Sequence, residues 1–140
     1  MEWWFILALL SALFAALVAI FAKVGLQGVD SNVATAMRSI IMAFFVIAFI
    51  AALGKFNQLA KITSGDMIFI ILSGIAGAAS WLCYFAALRL ADASKVAPID
   101  RSSVLIVLVL AVLFLGEKVT LKTAAAGALV FLGVLLLALK

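Results

Sequence analysis

The sequence contains no histidine, one cysteine (Cys83) and one proline (Pro98). Without histidine it lacks the usual zinc ligand sets and the general base of a Ser-His-Asp triad, and one cysteine cannot form an internal disulfide. We therefore expect no metal and no cofactor. Charged residues make up only 11% of the 140 residues, and the net charge of +4 is small and dispersed. Basic residues flanking membrane helices explain this charge better than a nucleic-acid partner does.

Apolar residues are what the sequence has in excess. They make up 69% of the chain, against about 45–50% in a typical soluble domain. A soluble domain of this size could not hide so much apolar surface from water. The composition therefore predicts an all-α integral membrane protein in contact with the lipid bilayer.

Five segments are long and apolar enough to cross the hydrocarbon core, which takes roughly 20 residues in a helix. The connections between them are short, the longest being the loop at 54–66, so no extramembrane domain fits between the spans. We expect a single transmembrane domain over residues 1–140, whose function lies inside the bilayer. The predicted spans are 3–22, 32–53, 67–88, 93–115 and 120–139.

The first segment is predicted to be a span rather than a cleaved signal peptide. Its leading charge is Glu2 instead of a basic residue, Trp3 and Trp4 are typical of an interfacial anchor, and the apolar run exceeds a normal signal core.

The fourth span is irregular, because its uninterrupted apolar stretch covers only 104–115. It crosses the membrane only if residues 93–103 continue the helix. Pro98 should kink that first half, because it cannot donate a hydrogen bond to the carbonyl of Ser94. A kinked, charged half-helix is tolerated only where it faces other helices.

The basic residues do not decide the orientation of five spans. Four lie on the side of the N-terminus and four on the opposite side, so the positive-inside rule favours neither orientation. When the embedded Arg38 and Arg101 are counted as well, six basic residues lie on the side of the C-terminus and four on the side of the N-terminus. Two alternatives stay open: one weakly biased orientation, or dual topology with copies inserted both ways. The two sets are Lys55, Lys61, Lys118 and Lys122, and Lys23, Arg89, Lys95 and Lys140.

Small residues form stripes on three of the predicted spans, and such stripes mark close helix contacts in lipid. Packing within one bundle explains each stripe, and packing against a second copy is the alternative. The stripes are Ala8, Ala12, Ala15, Ala16 and Ala19; Ser73, Gly74, Gly77 and Ser80; and Ala126 with Gly133.

Three charged residues lie inside the predicted spans, at a similar depth measured from the same membrane surface. Arg38 lies about 9 Å inside the second span, and Asp100 and Arg101 lie about 10–12 Å inside the fourth, by helical rise. Asp100 is the only carboxylate placed to pair with Arg38 across helices, and Arg101 points elsewhere or snorkels. A structural ion pair and a substrate or ion pathway, with hydroxyls added by Ser102 and Ser103, are both consistent with this pattern.

An aromatic patch of Trp81, Tyr84 and Phe85 ends the third span on the same membrane side as Asp100. Such residues anchor helices at the interface or form part of a pocket wall.

The C-terminal half resembles a known family. The segments 81–88 (WLCYFAAL), 96–103 (VAPIDRSS) and 115–118 (LGEK), followed by Gly127 and Gly133, are similar to an EamA domain of the drug/metabolite transporter superfamily. The resemblance extends over roughly residues 3–139, with Pro98 and the two glycines as helix-packing positions.

This resemblance implies a fold and a function class. Most members carry two such domains in ten spans related by an inverted repeat, so this chain corresponds to one half and looks like the single-domain bacterial and archaeal branch. The family implies transport of small metabolites or drugs across a prokaryotic cell (inner or plasma) membrane. The small multidrug-resistance exporters of the superfamily have an essential carboxylate inside their first span; this first span has none.

Three functions are weighed against one another. A secondary transporter acting as a homodimer is favoured, because an antiparallel pair of five-span chains would recreate an inverted repeat. The alternative is a non-transporting subunit packed against a larger membrane partner. An enzyme is not expected, because no paired carboxylates or metal ligands are present. Under transport, Asp100 is either a structural partner of Arg38 or a proton-carrying group. The substrate, the direction of transport and the coupling ion stay open.

Overall fold

The computed structural model describes residues 2–138, and these residues form six α-helices, one short 3₁₀ helix and no strand. The 3₁₀ helix, Phe56–Lys61, lies in the loop between the second and third α-helices. The α-helices are Trp3–Gly25 (α1), Ser31–Ala52 (α2), Ser64–Leu90 (α3), Ala93–Asp100 (α4), Ser103–Leu115 (α5) and Leu121–Ala138 (α6).

Four helical stretches are long and apolar enough to cross a membrane: α1, α2, α3, and α4 with α5 taken as one stretch. The shorter apolar α6 covers the last predicted span, whose final residue lies outside the described part of the chain. Large apolar side chains on these helices are exposed, for example Phe44 at 74% and Phe114 at 80%. Such surfaces are stable against lipid, so the prediction of an all-α integral membrane protein is confirmed.

The helix ends differ from the predicted spans by a few residues, because polar caps extend the helices past the apolar runs. α3 begins at Ser64, three residues before the predicted 67. Its start is a reciprocal cap: the Thr63 hydroxyl accepts the Asp66 backbone N–H at 3.2 Å, and the Asp66 carboxylate accepts the Thr63 N–H at 3.0 Å. At the start of α2 the Asp30 carboxylate accepts the N–H groups of Asn32 and Val33.

The regular α-helix of the fourth span has a short break three residues after Pro98, at Arg101 and Ser102, where the backbone stays right-handed helical. The kink predicted at Pro98 stays a prediction. α4 ends at Asp100 and α5 begins at Ser103. Between them the backbone tightens to i→i−3 bonds, with Arg101 N–H donating to the Pro98 carbonyl at 3.1 Å and Ser102 N–H to the Ile99 carbonyl at 3.0 Å. The two half-helices therefore meet inside the membrane-spanning stretch.

The described residues divide into two compact units, and the division falls within α1. The first unit contains residues 2–20 and 91–138, and the second contains residues 21–90. In the first unit α6 packs against both α4 and α5. In the second unit α2 packs against α3, around the fully buried Leu88 and the buried Phe85.

Candidate functional site

The second unit brings Arg38 of α2 onto the aromatic patch of α3. The guanidinium carbon of Arg38 lies 3.6 Å from the centroid of the Trp81 ring and 5.7 Å from that of Phe85. These are cation–π distances, and such contacts strengthen where water is excluded. An aromatic face therefore supplies part of the compensation that a cation needs at this depth.

The aromatic patch is a cluster of ring edges on one face of α3. The ring centroids of Trp81 and Tyr84 lie 5.5 Å apart at an interplanar angle of 88°, and those of Trp81 and Phe85 lie 5.8 Å apart at 73°. Edge-to-face contacts of this kind hold the Trp81 ring in one orientation, which presents its face to Arg38. Whether the cluster is an interface anchor or a pocket wall stays a prediction.

Hydroxyl groups lie on both sides of Arg38 along α2. Thr35 donates to the Ser31 carbonyl at 2.7 Å, and both residues are buried. Ser39 donates in the same way to the Thr35 carbonyl at 2.8 Å. These bonds satisfy the hydroxyls within the helix, so α2 carries polar atoms inside the membrane without an external partner.

One nitrogen of Arg38 remains unsatisfied. Its Nη1 atom is buried and has no hydrogen-bond partner among the described residues of its unit. A buried donor without an acceptor costs about 1–3 kcal/mol. The predicted pairing of Arg38 with Asp100 joins residues of the two units and stays a prediction.

The loop end of the second unit is held by two side-chain contacts. Lys23 Nζ donates to the Leu88 carbonyl at 2.6 Å, and Arg89 forms a salt bridge with Asp30 at 3.3 Å. Lys23 therefore bonds an end carbonyl of α3, and Asp30 both caps α2 and binds the last turn of α3.

The first unit places the other predicted polar residues at the break in the fourth span. Asp100 and Ser102 are half-buried, and Arg101 and Ser103 are exposed. Within this unit, neither the Asp100 carboxylate nor the Arg101 guanidinium has a hydrogen bond or salt bridge among the described residues. An isolated charge inside a membrane span requires a partner of the opposite sign or access to water.

A cavity of about 470 Å³ lies against Arg101 in the first unit. Its walls come from α1, α4 and α6, and Arg101 supplies the single charged side chain among them. The remaining lining residues are small or aliphatic: Ala12, Ala15, Ala16, Ala97, Pro98, Val130, Gly133, Val134 and Leu137.

A second cavity of about 360 Å³ shares Arg101 and Val130 with the first. Ser103, Val104 and Val107 of α5 complete its lining. Arg101 therefore borders both cavities, at the residue where the fourth span breaks.

The predicted packing glycines fall into three groups. A Cβ atom on Gly127 would lie 2.8 Å from Leu108 Cδ1, so this glycine permits the close approach of α5 and α6. Gly133 lines the cavity, with open space around its Cα. Gly74 and Gly77 have no atom within 4 Å of a built Cβ among the described residues, so a helix contact at these two positions stays a prediction.

Several residues of these sites were not predicted. Ser31 and Thr35 precede Arg38 by seven and three residues, and this helical spacing in a span could have marked a polar face. The sequence gives no signal for the cavity-lining residues Val130, Val134 and Leu137, because aliphatic residues are equally common on lipid-facing surfaces.

Comparison with known proteins gives the chain its family. A Sinorhizobium sp. protein described as an uncharacterized transporter in the cobO 3′ region is 45% identical over 135 residues, which cover 96% of each chain. No solved structure matches. Residues 2–139 match the model of the EamA-like transporter family, in agreement with the resemblance found in segments 81–118. The chain therefore belongs to the EamA-like transporter family.

Proposed function

We propose that this chain is a secondary transporter of small metabolites or drugs and works as a dimer of five-span chains in a prokaryotic cell membrane. The observation that carries the proposal is the position of Arg101, a charged residue in the fourth span that lines an apolar cavity together with residues of α1, α4 and α6. A charged side chain inside a membrane span is tolerated where it lines a cavity, and such residues mark substrate or ion pathways.

The family assignment and the bacterial relative support transport and a prokaryotic membrane. They also favour a transport role over an enzymatic one. The alternative of a non-transporting subunit explains the apolar helices equally well, but it gives no role to a cavity bordered by an unpaired arginine.

The dimer is proposed because a transporter of this kind uses two repeats. Alternating access normally moves one repeat against another around a central site, and five spans supply one repeat. An antiparallel second copy would supply the inverted one, and the balanced count of Lys and Arg on the two sides is compatible with insertion both ways.

Asp100 is the proposed coupling group. It is half-buried at the end of α4, next to Arg101, and it has no hydrogen-bond or salt-bridge partner in its unit among the described residues. An ionisable side chain inside a span, without an ion-pair partner in its unit, is a candidate for an ion pathway.

Reconstituted vesicles test the proposal. Purified chain in liposomes should take up at least one compound of a metabolite panel when a pH gradient is imposed. Asp100→Asn should fold, as judged by circular dichroism and gel filtration, and lose the pH-driven component. The matched control is Asp92→Asn, whose carboxylate lies on the surface in a 3.8 Å contact with Lys95. Unchanged pH-driven uptake by folded Asp100→Asn would remove the coupling role.

A further inference from the structure

We propose that the cavity beside Arg101 binds small organic anions with an apolar body, and that these are the substrate class. The inference rests on the proposed function, since it specifies what that same site carries. Three observations support it: the isolated charge of Arg101, the apolar walls of the cavity, and the volume that they enclose.

The charge is the first observation. Arg101 presents a positively charged guanidinium with several N–H donors to the cavity. The cavity lining contains no carboxylate among the described residues, and the guanidinium has no salt bridge within its unit there. A bound carboxylate or phosphate would supply the missing counter-charge with a bidentate pair of hydrogen bonds.

The walls are the second observation. Ala12, Ala15 and Ala16 of α1 and Gly133 and Val134 of α6 present only carbon to the space. These side chains offer no hydrogen bond to a polar ligand body, and they favour a hydrocarbon or aromatic one by the burial of apolar surface. A ligand that complements both the guanidinium and the apolar walls therefore has one anionic group and an apolar remainder.

The volume is the third observation. About 470 Å³ lies within the range of pockets that hold small molecules. The adjoining cavity of about 360 Å³ adds Ser103 beside Arg101. A hydroxyl next to the guanidinium gives an anion a further donor.

Charge complementarity separates this class from its competitors. A cationic compound would meet Arg101 with no compensating carboxylate in the wall, and a neutral compound would leave the guanidinium unpaired. A membrane lipid with an anionic headgroup shares the ligand chemistry. We commit to a water-soluble substrate, because a volume of about 470 Å³ matches a compact small molecule rather than a lipid with two long acyl chains.

Three probes that share a phenyl ring on a short chain and differ in the end group test the class: 3-phenylpropionate, 3-phenylpropanamide and 3-phenylpropylammonium. Their binding to the full chain in detergent at pH 7 is measured by titration calorimetry. The anion should bind at least about tenfold more tightly than the amide, because its hydrogen bonds with the guanidinium join two charged groups. The ammonium compound should bind most weakly. Equal affinities for all three would overturn the inference.

Variants locate the site. Arg101→Gln should weaken binding of 3-phenylpropionate about tenfold or more and remove the preference over the amide, and Arg101→Lys should retain part of it. Ala16→Phe, which fills the cavity and keeps the charge, should also weaken binding. Its control is Ala43→Phe on the exposed surface of α2, with the same change of side chain. Undiminished binding by folded Arg101→Gln or Ala16→Phe would contradict the site.

Two further arms separate this inference from the transport function. If 3-phenylpropionate binds through Arg101 but vesicles that contain the chain take up no compound of the metabolite panel, the site stands and the proposed function fails. If the vesicles take up amines or neutral compounds and exclude anions, transport stands and the substrate class fails. If dihexanoyl phosphatidylglycerol binds through Arg101 and 3-phenylpropionate does not, the ligand is a lipid and the inference is wrong.

Discussion

The guanidinium of Arg38 lies 3.6 Å above the ring of Trp81, which joins α2 to α3 inside the membrane-spanning part of the second unit. From the sequence alone, we predict a carboxylate partner for a cation at this depth. The structure gives it an aromatic one within its own unit, and the edges of Tyr84 and Phe85 hold that ring in place.

This contact should be measurable as a coupling energy. In a double-mutant cycle with Arg38→Met and Trp81→Leu, the coupling should be about 1–2 kcal/mol, because the contact is largely desolvated. The free energy of unfolding is followed by circular dichroism during denaturation in mixed detergent. Arg89→Met with Trp81→Leu is the control pair, since Arg89 lies about 12 Å further along α3 by helical rise and bonds Asp30. Additive effects of Arg38→Met and Trp81→Leu would show that the contact contributes nothing.

Asp30 has two roles that substitutions can separate. Asp30→Asn keeps an oxygen for the N–H groups of Asn32 and Val33, and loses only a salt bridge whose side chains are half exposed, so it should cost less than about 1 kcal/mol. Asp30→Ala also removes the cap and should cost about 1 kcal/mol more. Unfolding midpoints and hydrogen exchange at residues 32 and 33 measure the difference. Equal losses in the two variants would mean that the cap is not the stabilising contact.

Gly127 and Gly133 make a matched pair on α6. Gly127→Ala places a methyl group 2.8 Å from Leu108 Cδ1 and 3.2 Å from Leu105 Cδ2, so these two leucine side chains must move, and the variant should be about 1 kcal/mol less stable than Gly133→Ala. Gly133→Ala meets no atom within 4 Å and should leave stability unchanged or slightly raised. The unfolding free energies of the two variants test this directly. A larger loss at Gly133 would contradict the close approach at Gly127.

The helices of this protein were predictable from sequence, because a run of about 20 apolar residues has few alternatives in a bilayer. The kink at Pro98 stays a prediction that rests on the hydrogen bond that proline removes. The tightening of the chain into i→i−3 bonds at Arg101 and Ser102 was not predicted, because no proline or glycine occupies these positions.

The site was predictable only where it is polar. Arg38 and Arg101 are easy to recognise as charged residues in apolar spans. The structure places Arg38 on the Trp81 ring and Arg101 against a cavity. The partner of Arg38 was missed, because Trp81 lies 43 residues away and an interfacial anchor explains it equally well in the sequence. The aliphatic walls around Arg101 depend on which faces of α1, α4 and α6 meet, and helix rotation cannot be derived from composition.

The orientation of the chain gives a prediction that does not depend on substrate. Reporters fused to the two ends should lie on opposite sides of the membrane, because five spans are an odd number. In the antiparallel dimer each end should be found on both sides across the population. Moving one or two Lys residues between loops should fix a single orientation and lower transport. Full transport by such a uniformly oriented variant would contradict the antiparallel dimer.

Uptake by purified protein in liposomes tests the central claim most directly. The chain should accumulate at least one small compound of a metabolite panel under an imposed ion gradient, and Arg101→Gln should reduce that uptake about tenfold or more while the protein remains folded. If the folded wild-type chain, present in both orientations, accumulates no compound of the panel under any gradient, the protein is not a transporter by itself and the account is wrong.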